Sequence, residues 1–184
     1  QESGIFTIIS IARLDKHQKR QHLLIEAFAK LSQKYPQWRV ELWGSDWNKK
    51  YKKELEELVA KYHLENRVLF KGVTHNVLEK NLAADIFAWP SAYEGFGLAM
   101  AEAMSAGLPV VAFRSCQAAR EIVGEDCGIL VSDGVNAFSK GLEELMANRE
   151  KRVQMGASAK KSMRQYAPNK IWDAWDRLIK KERE

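Results

Sequence analysis

Six short runs of β-branched and aromatic residues alternate along this chain with stretches of helical periodicity, and that alternation leaves few folds open. The first run, Ile5-Phe6-Thr7-Ile8-Ile9-Ser10-Ile11, is apolar on nearly every position. Such a strand is buried on both faces, as in a parallel sheet. Further strands are expected over 38–43, 67–70, 86–89, 110–113 and 128–131. Between them, Leu23, Leu24, Ala27, Phe28 and Leu31 recur at helical spacing, as do Leu55, Leu58, Val59 and Tyr62 in a charged helix over 54–62. Helices are also expected near 76–83 and 118–123, and three close the chain at 135–147, 149–166 and 169–181. Strand and helix in turn give a six-stranded parallel sheet between two helical layers, an α/β Rossmann-like three-layer fold with right-handed crossovers. The 184 residues show no repeat, low-complexity segment or linker and read as one domain over 1–184.

In such a fold ligands bind outside the carboxyl ends of the strands. Five loops should therefore converge on one edge: 13–19, Gly44-Ser45, Lys71-Gly72, 94–97 and 114–121. The fourth is the most informative. After Trp89-Pro90 the chain reads Glu94-Gly95-Phe96-Gly97-Leu98-Ala99-Met100-Ala101-Glu102, a glycine turn leading into a helix that Gly107 and Pro109 stop. A turn of this kind aims backbone N–H groups at one spot, and the helix dipole favours an anion there. Carboxylates repel phosphate, so Glu94 and Glu102 suit another part of the same molecule, such as sugar hydroxyls. Arg13 and Lys19, flanking the first turn, suit a diphosphate. The same residues also fit a plain helix entrance with solvated charges.

Composition excludes several classes. Ala12-Arg13-Leu14-Asp15 carries no glycine where a dinucleotide fingerprint belongs, and Met100 stands where the third small residue after Gly95 and Gly97 is needed. There is no phosphate-binding loop ending in Gly-Lys-Ser or Gly-Lys-Thr. His17, His22, His63 and His75 form no i, i+4 ligand pair, so no metal site is expected. Cys116 and Cys127 make neither a disulfide framework nor a zinc spacing, which favours a reducing compartment. The net charge of +5 comes largely from Lys49, Lys50, Lys52, Lys53, Lys151, Lys160, Lys161, Lys180 and Lys181, all among acids in helical stretches, and no motif or basic stripe points to nucleic acid. Of the tryptophans, Trp43 and Trp89 are expected in the core, with Trp172 and Trp175 on the buried side of the last helix. No apolar run approaches the roughly 20 residues of a membrane span. Gln1-Glu2-Ser3-Gly4 has no signal-peptide pattern, and the missing Met suggests a piece of a longer protein.

Pro90-Ser91-x-x-Glu94-Gly95-Phe96-Gly97-Leu98, with Glu102-Ala103 and Gly107-x-Pro109-Val110-Val111, resembles the E-x7-E segment of retaining glycosyltransferases of family 4, which share the two-domain GT-B architecture. Ala12-Arg13-Leu14, Lys19-Arg20, Leu23-Leu24-Ile25-Glu26-Ala27-Phe28, Val68-x-Phe70-x-Gly72, Glu121-Ile122-Val123 and Cys127-Gly128-Ile129-Leu130-Val131 follow the same family's C-terminal domain in order. The resemblance implies that Arg13 and Lys19 grip a donor diphosphate with the amides of Gly95, Phe96, Gly97 and Leu98. It makes Glu94 the contact to the transferred sugar and Glu102 the contact to ribose. Gly44, Ser45, Phe70, Lys71 and Gly72 would border the base, although Ser45 stands where a second glycine is usual. The turn after Arg13 is one residue longer than is usual, which leaves Lys16 as the alternative match to Lys19.

The implied substrate is a UDP-sugar or GDP-sugar, with no cofactor and no metal needed for catalysis. The implied partner is an N-terminal acceptor-binding domain, to which the helix at 169–181 crosses back. The location implied is cytoplasmic, and the basic surface is compatible with work at the inner face of a membrane. A nucleotide-sugar-binding module without transferase activity, or an epimerase of the same architecture, is the alternative.

Overall fold

Alternate residues of the first strand serve two different cores. In the computed structural model, which describes residues 4–181, β1 (Phe6–Ile11) sends Ile8 into one apolar cluster and Ile9 into another. β1 pairs in parallel with β2 (Trp38–Trp43) along its whole length, from Phe6 opposite Trp38 to Ile11 opposite Trp43, and on its other side with β4 (Ile86–Trp89). β3 (Val68–Gly72), β5 (Val110–Phe113) and β6 (Gly128–Val131) complete the sheet in the order β3-β2-β1-β4-β5-β6, with every pairing parallel. The winding reverses between β1 and β4. Loops leaving these two strands diverge and open a crevice at their carboxyl ends.

The first cluster joins Ile8, Val40, Val111 and Phe113 to α1 (Gln21–Ala29), α2 (Lys49–Lys61) and α6 (Val135–Ala147) through Leu24, Phe28, Leu55, Phe138 and Leu142. The second joins Ile9, Phe87, Trp89, Val110 and Ala112 to α4 (Leu98–Ser105), α5 (Gln117–Ile122) and α7 (Arg149–Ser162) through Met100, Met104, Ile122 and Ala159. α3 (Val77–Leu82) lies beside α4. Burying each such large side chain contributes about 1.5–3 kcal/mol, so both helical layers are fixed to the sheet independently.

The structure departs from the sequence pattern in four places. α2 begins at Lys49 rather than 54, because the Asn48 side chain accepts the Tyr51 N–H at 3.0 Å and caps the helix. β3 runs through Gly72, so Lys71 and Gly72 end a strand and do not form a loop; a register shift at Leu42/Trp43 brings Gly72 opposite Trp43. The stretch expected as one helix over 149–166 closes in a 3-10 turn, Met163–Tyr166, before α8 (Pro168–Lys181). Trp172 and Trp175 do not mark a buried side: they are 69% and 54% exposed. Among the described residues α8 meets mainly the 3-10 turn, which leaves its apolar stripe uncovered. The reading of Gln1-Glu2-Ser3 as a fragment's start lies outside the described residues. Among those residues no helix is long and apolar enough to cross a membrane.

Candidate functional site

The turn after β1 is built by side chains that bond back to its own backbone. Asp15 accepts the N–H groups of His17 (3.0 Å) and Gln18 (2.8 Å), and these bonds, the Gln18 one foremost, hold its carboxyl below the usual carboxylate range despite partial burial. The buried Gln21 closes the turn from inside, donating to the Arg13 carbonyl at 2.9 Å and accepting the Asp15 N–H at 3.2 Å. Gly44 fits the turn from the side. At φ +144° it lies so near the Ala12 carbonyl that a Cβ there would stand 2.0 Å from the oxygen. Backbone bonds from Ala12 to Trp43, Leu14 to Ser45 and Gly44 to Gly72 then tie the ends of β1, β2 and β3 together. Arg13, half exposed, donates to Gln18 Oε1 at 2.6 Å.

Lys19 crosses from this turn to the loop after β4. Its ammonium lies 2.5 Å from Glu94 Oε1 and 4.9 Å from the centre of the Trp89 ring, and the two charged side chains are only 11% and 10% exposed. Two more bonds join the loops, Ala92 N–H to the Gln18 carbonyl at 2.8 Å and Gln18 Nε2 to the Tyr93 carbonyl at 3.2 Å. Lys16 goes elsewhere, pairing with Glu54 at 2.6 Å on the surface. The geometry thus selects Lys19 over Lys16 as the cation facing the fourth loop.

α4 starts from Gly97, whose φ of +79° places it in the left-handed region, and no side chain caps the helix. Its first amides, those of Leu98 and Ala99, precede the intrahelical ladder, and both residues line the same space as Arg13 and Lys19. Ala12, Arg13, Lys19, Trp89, Glu94 and residues 95–99 line one open cleft of about 450 Å³, a size that fits a small ligand. Arg13 and Lys19, the latter paired with Glu94, on one wall and the start of a helix on the other are the kinds of group that suit an anion.

Glu102 lies outside that cleft. It is exposed in the second turn of α4 and lines a neighbouring groove of about 440 Å³ with Val77, Leu78, Ala101 and Tyr166; Phe96 and Leu98 form the wall shared by both. The Phe96 ring meets Tyr166 edge-on at 5.3 Å. A ligand that crosses this wall would meet charge first and an apolar trough with one carboxylate second.

Residues expected around a base are brought to neither cavity. Gly44, Ser45 and Gly72 act through the backbone bonds already described. Phe70 packs against the cluster under α1 and α2, so its side chain is on the opposite face of the sheet from α4. Lys71 and Lys80 both stand over Trp43, at 5.6 and 5.3 Å from the ring centre. Sequence reasoning missed Asp15, Gln18 and Gln21, although the Asp in a short turn was a readable signal. It also missed the groove formed by α3 and the 3-10 turn, for which no local pattern exists.

The doubly wound sheet and its crevice define a Rossmann-like α/β domain, and the similarity to known proteins makes it the C-terminal domain of a GT-B glycosyltransferase. The chain belongs to the family described as glycosyl transferases group 1, whose model matches residues 2–162. It is 28% identical over 175 residues to an uncharacterized glycosyltransferase of Haemophilus influenzae, covering 94% of this chain and 48% of that protein. It is 30% identical over 148 residues to the lipopolysaccharide core biosynthesis mannosyltransferase LpsB of Rhizobium meliloti, covering 78% of this chain and 42% of that one. The crystal structure of Anabaena Alr3699/HepE in complex with UDP and glucose superposes with a TM-score of 0.81 at 29% identity, over 89% of this chain and 44% of that one. The chain therefore spans less than half the length of these relatives.

Proposed function

We propose that this chain is the donor-binding domain of a retaining, family 4 glycosyltransferase that moves a sugar from a nucleotide-diphosphate sugar to an acceptor hydroxyl. The observation that carries this reading is the joining of the β1 and β4 loops by Lys19 and Glu94, beside Arg13 and the uncapped start of α4. Arg13, Lys19 and the amides of 95–98 hold the diphosphate. As the bond from the anomeric carbon to the diphosphate oxygen breaks, negative charge grows on the leaving group, and these fixed cations and dipoles offset it in place, without need of a metal. Glu94 contacts the transferred sugar at the edge of the cleft, and Glu102 takes the ribose hydroxyls in the adjoining groove. Solved relatives bound to UDP and UDP-glucose support a uridine or similar nucleotide as the donor's carrier.

An N-terminal domain would supply the acceptor site and the other wall of the cleft, with the exposed stripe of α8 turned towards it. A cytoplasmic place of work, peripheral to the inner face of a membrane, fits the basic surface of a protein acting on a lipid or wall precursor. Calorimetric titration with uridine, guanosine and adenosine diphosphates and their sugars tests the reading. One nucleotide class should bind, Glu102→Ala should weaken it, and the chain alone should show no sugar transfer. Binding by none, or turnover by the chain alone, would contradict the proposal.

A further inference from the structure

Arg20 follows Lys19 directly, and its backbone is left-handed, with φ 51°. Side chains rarely accept that conformation, and glycine takes it without strain. The side chain here is engaged on three sides. Its Nε donates to the Pro90 carbonyl at 3.0 Å, its Nη1 pairs with Asp133 at 3.4 Å, and its guanidinium stands 4.8 Å from the centre of the Phe113 ring. Asp133 in turn accepts the Ser115 hydroxyl at 2.5 Å. From the loop after β1, this one residue therefore reaches the start of the loop after β4, the last residue of β5 and the loop after β6. Its side chain is only 17% exposed, so it is committed to these neighbours more than to solvent. The left-handed turn also separates the adjacent cations, Lys19 onto Trp89 and Arg20 onto Phe113.

We infer that Arg20 is a positioning residue for the donor site: by fastening Pro90 it fixes where the loop carrying Glu94 lies against Lys19. This rests on the donor-site reading above. A lysine at 20 keeps the charge but offers no planar fork that meets Pro90 and Asp133 together. A glycine keeps the backbone turn and its backbone bonds and removes every side-chain contact.

The test is calorimetric titration of the chain with UDP and GDP in the wild type, Arg20→Gly, Arg20→Lys, Lys19→Ala and the double variant Lys19→Ala/Arg20→Gly, with circular dichroism reporting the fold. Arg20→Gly and Arg20→Lys should each stay folded and bind about tenfold more weakly or worse, the loss expected when a charge-assisted hydrogen bond goes. The Lys19→Ala loss should be smaller in the glycine background than alone, because both changes act on one pair. Undiminished binding by folded Arg20→Gly overturns the inference, as does full rescue by lysine or strict additivity with Lys19→Ala. Should Arg20→Gly unfold, Arg20→Lys decides alone. If the wild type binds neither nucleotide, the donor-site reading falls and this inference with it; wild-type binding that Arg20→Gly leaves unchanged removes only the inference.

Discussion

Glu94 and Glu102 are eight residues apart in one stretch of sequence, yet they lie in opposite physical settings. Glu94 is 10% exposed, paired with a lysine from another loop, in a cleft that Arg13, Trp89 and the start of α4 also line. Glu102 is exposed, on a helix face beside Val77, Leu78 and Ala101. The first region is organised for charge before any ligand arrives. The second offers apolar surface and one acceptor. In a cleft already furnished with fixed charges, losing one of them removes stabilisation that water cannot replace; at an exposed carboxylate, loss of a hydrogen bond costs far less.

That contrast is most exposed to test at Lys19. In the complete enzyme Lys19→Ala should lower kcat about 10²–10³-fold, the range for removing one fixed donor at a developing anion. A steady-state assay of donor consumption reads it, and a loss under tenfold would erase the distinction between the two regions. Glu102→Ala should weaken UDP binding about tenfold while leaving pyrophosphate binding unchanged. Equal weakening of both would mean that the grooves are not separate subsites.

The support beneath the charged region should respond to pH. Burial, with Lys16 and Arg20 nearby, pushes the His22 imidazole down, and in its neutral form Nδ1 can accept the Tyr51 hydroxyl at 2.9 Å while that oxygen accepts the backbone N–H of His22 at 3.1 Å. The folded value lies below the unfolded one of 6.5, so the stabilisation is complete above pH 6.5 and is lost as pH falls from there through the folded value. Denaturant titrations from pH 7.5 to 5 should show that loss, and His22→Phe should flatten it; an unchanged slope would remove His22 as its source. The smallest effect should come from the start of α2, which lies beside the β1 turn but does not line the cleft. Asn48→Ala removes the α2 cap and should cost about 1 kcal/mol of stability with no change in nucleotide affinity.

Much of this was legible in the sequence because it depends on local pattern. Continuous apolar runs such as 5–11 and 110–113 mark strands covered on both faces, and parallel strands put their carboxyl ends on one edge. Gly97 was readable as a helix start for the same reason. What stayed hidden is set by contacts between distant residues. Nothing near Lys71 signals the register shift that draws it into β3, and Lys19 meets Glu94 across 75 residues. The exposure of Trp172 and Trp175 was equally invisible, since amphipathic spacing shows which side of a helix is apolar and leaves its cover unstated.

The central claim is that the joined loops of β1 and β4 bind a nucleoside diphosphate through Lys19. Calorimetry of UDP binding to the wild type and to Lys19→Ala tests it most directly. One-to-one binding to the wild type, weakened at least about tenfold in the variant, is the predicted result. Equal affinities for the two proteins would contradict it.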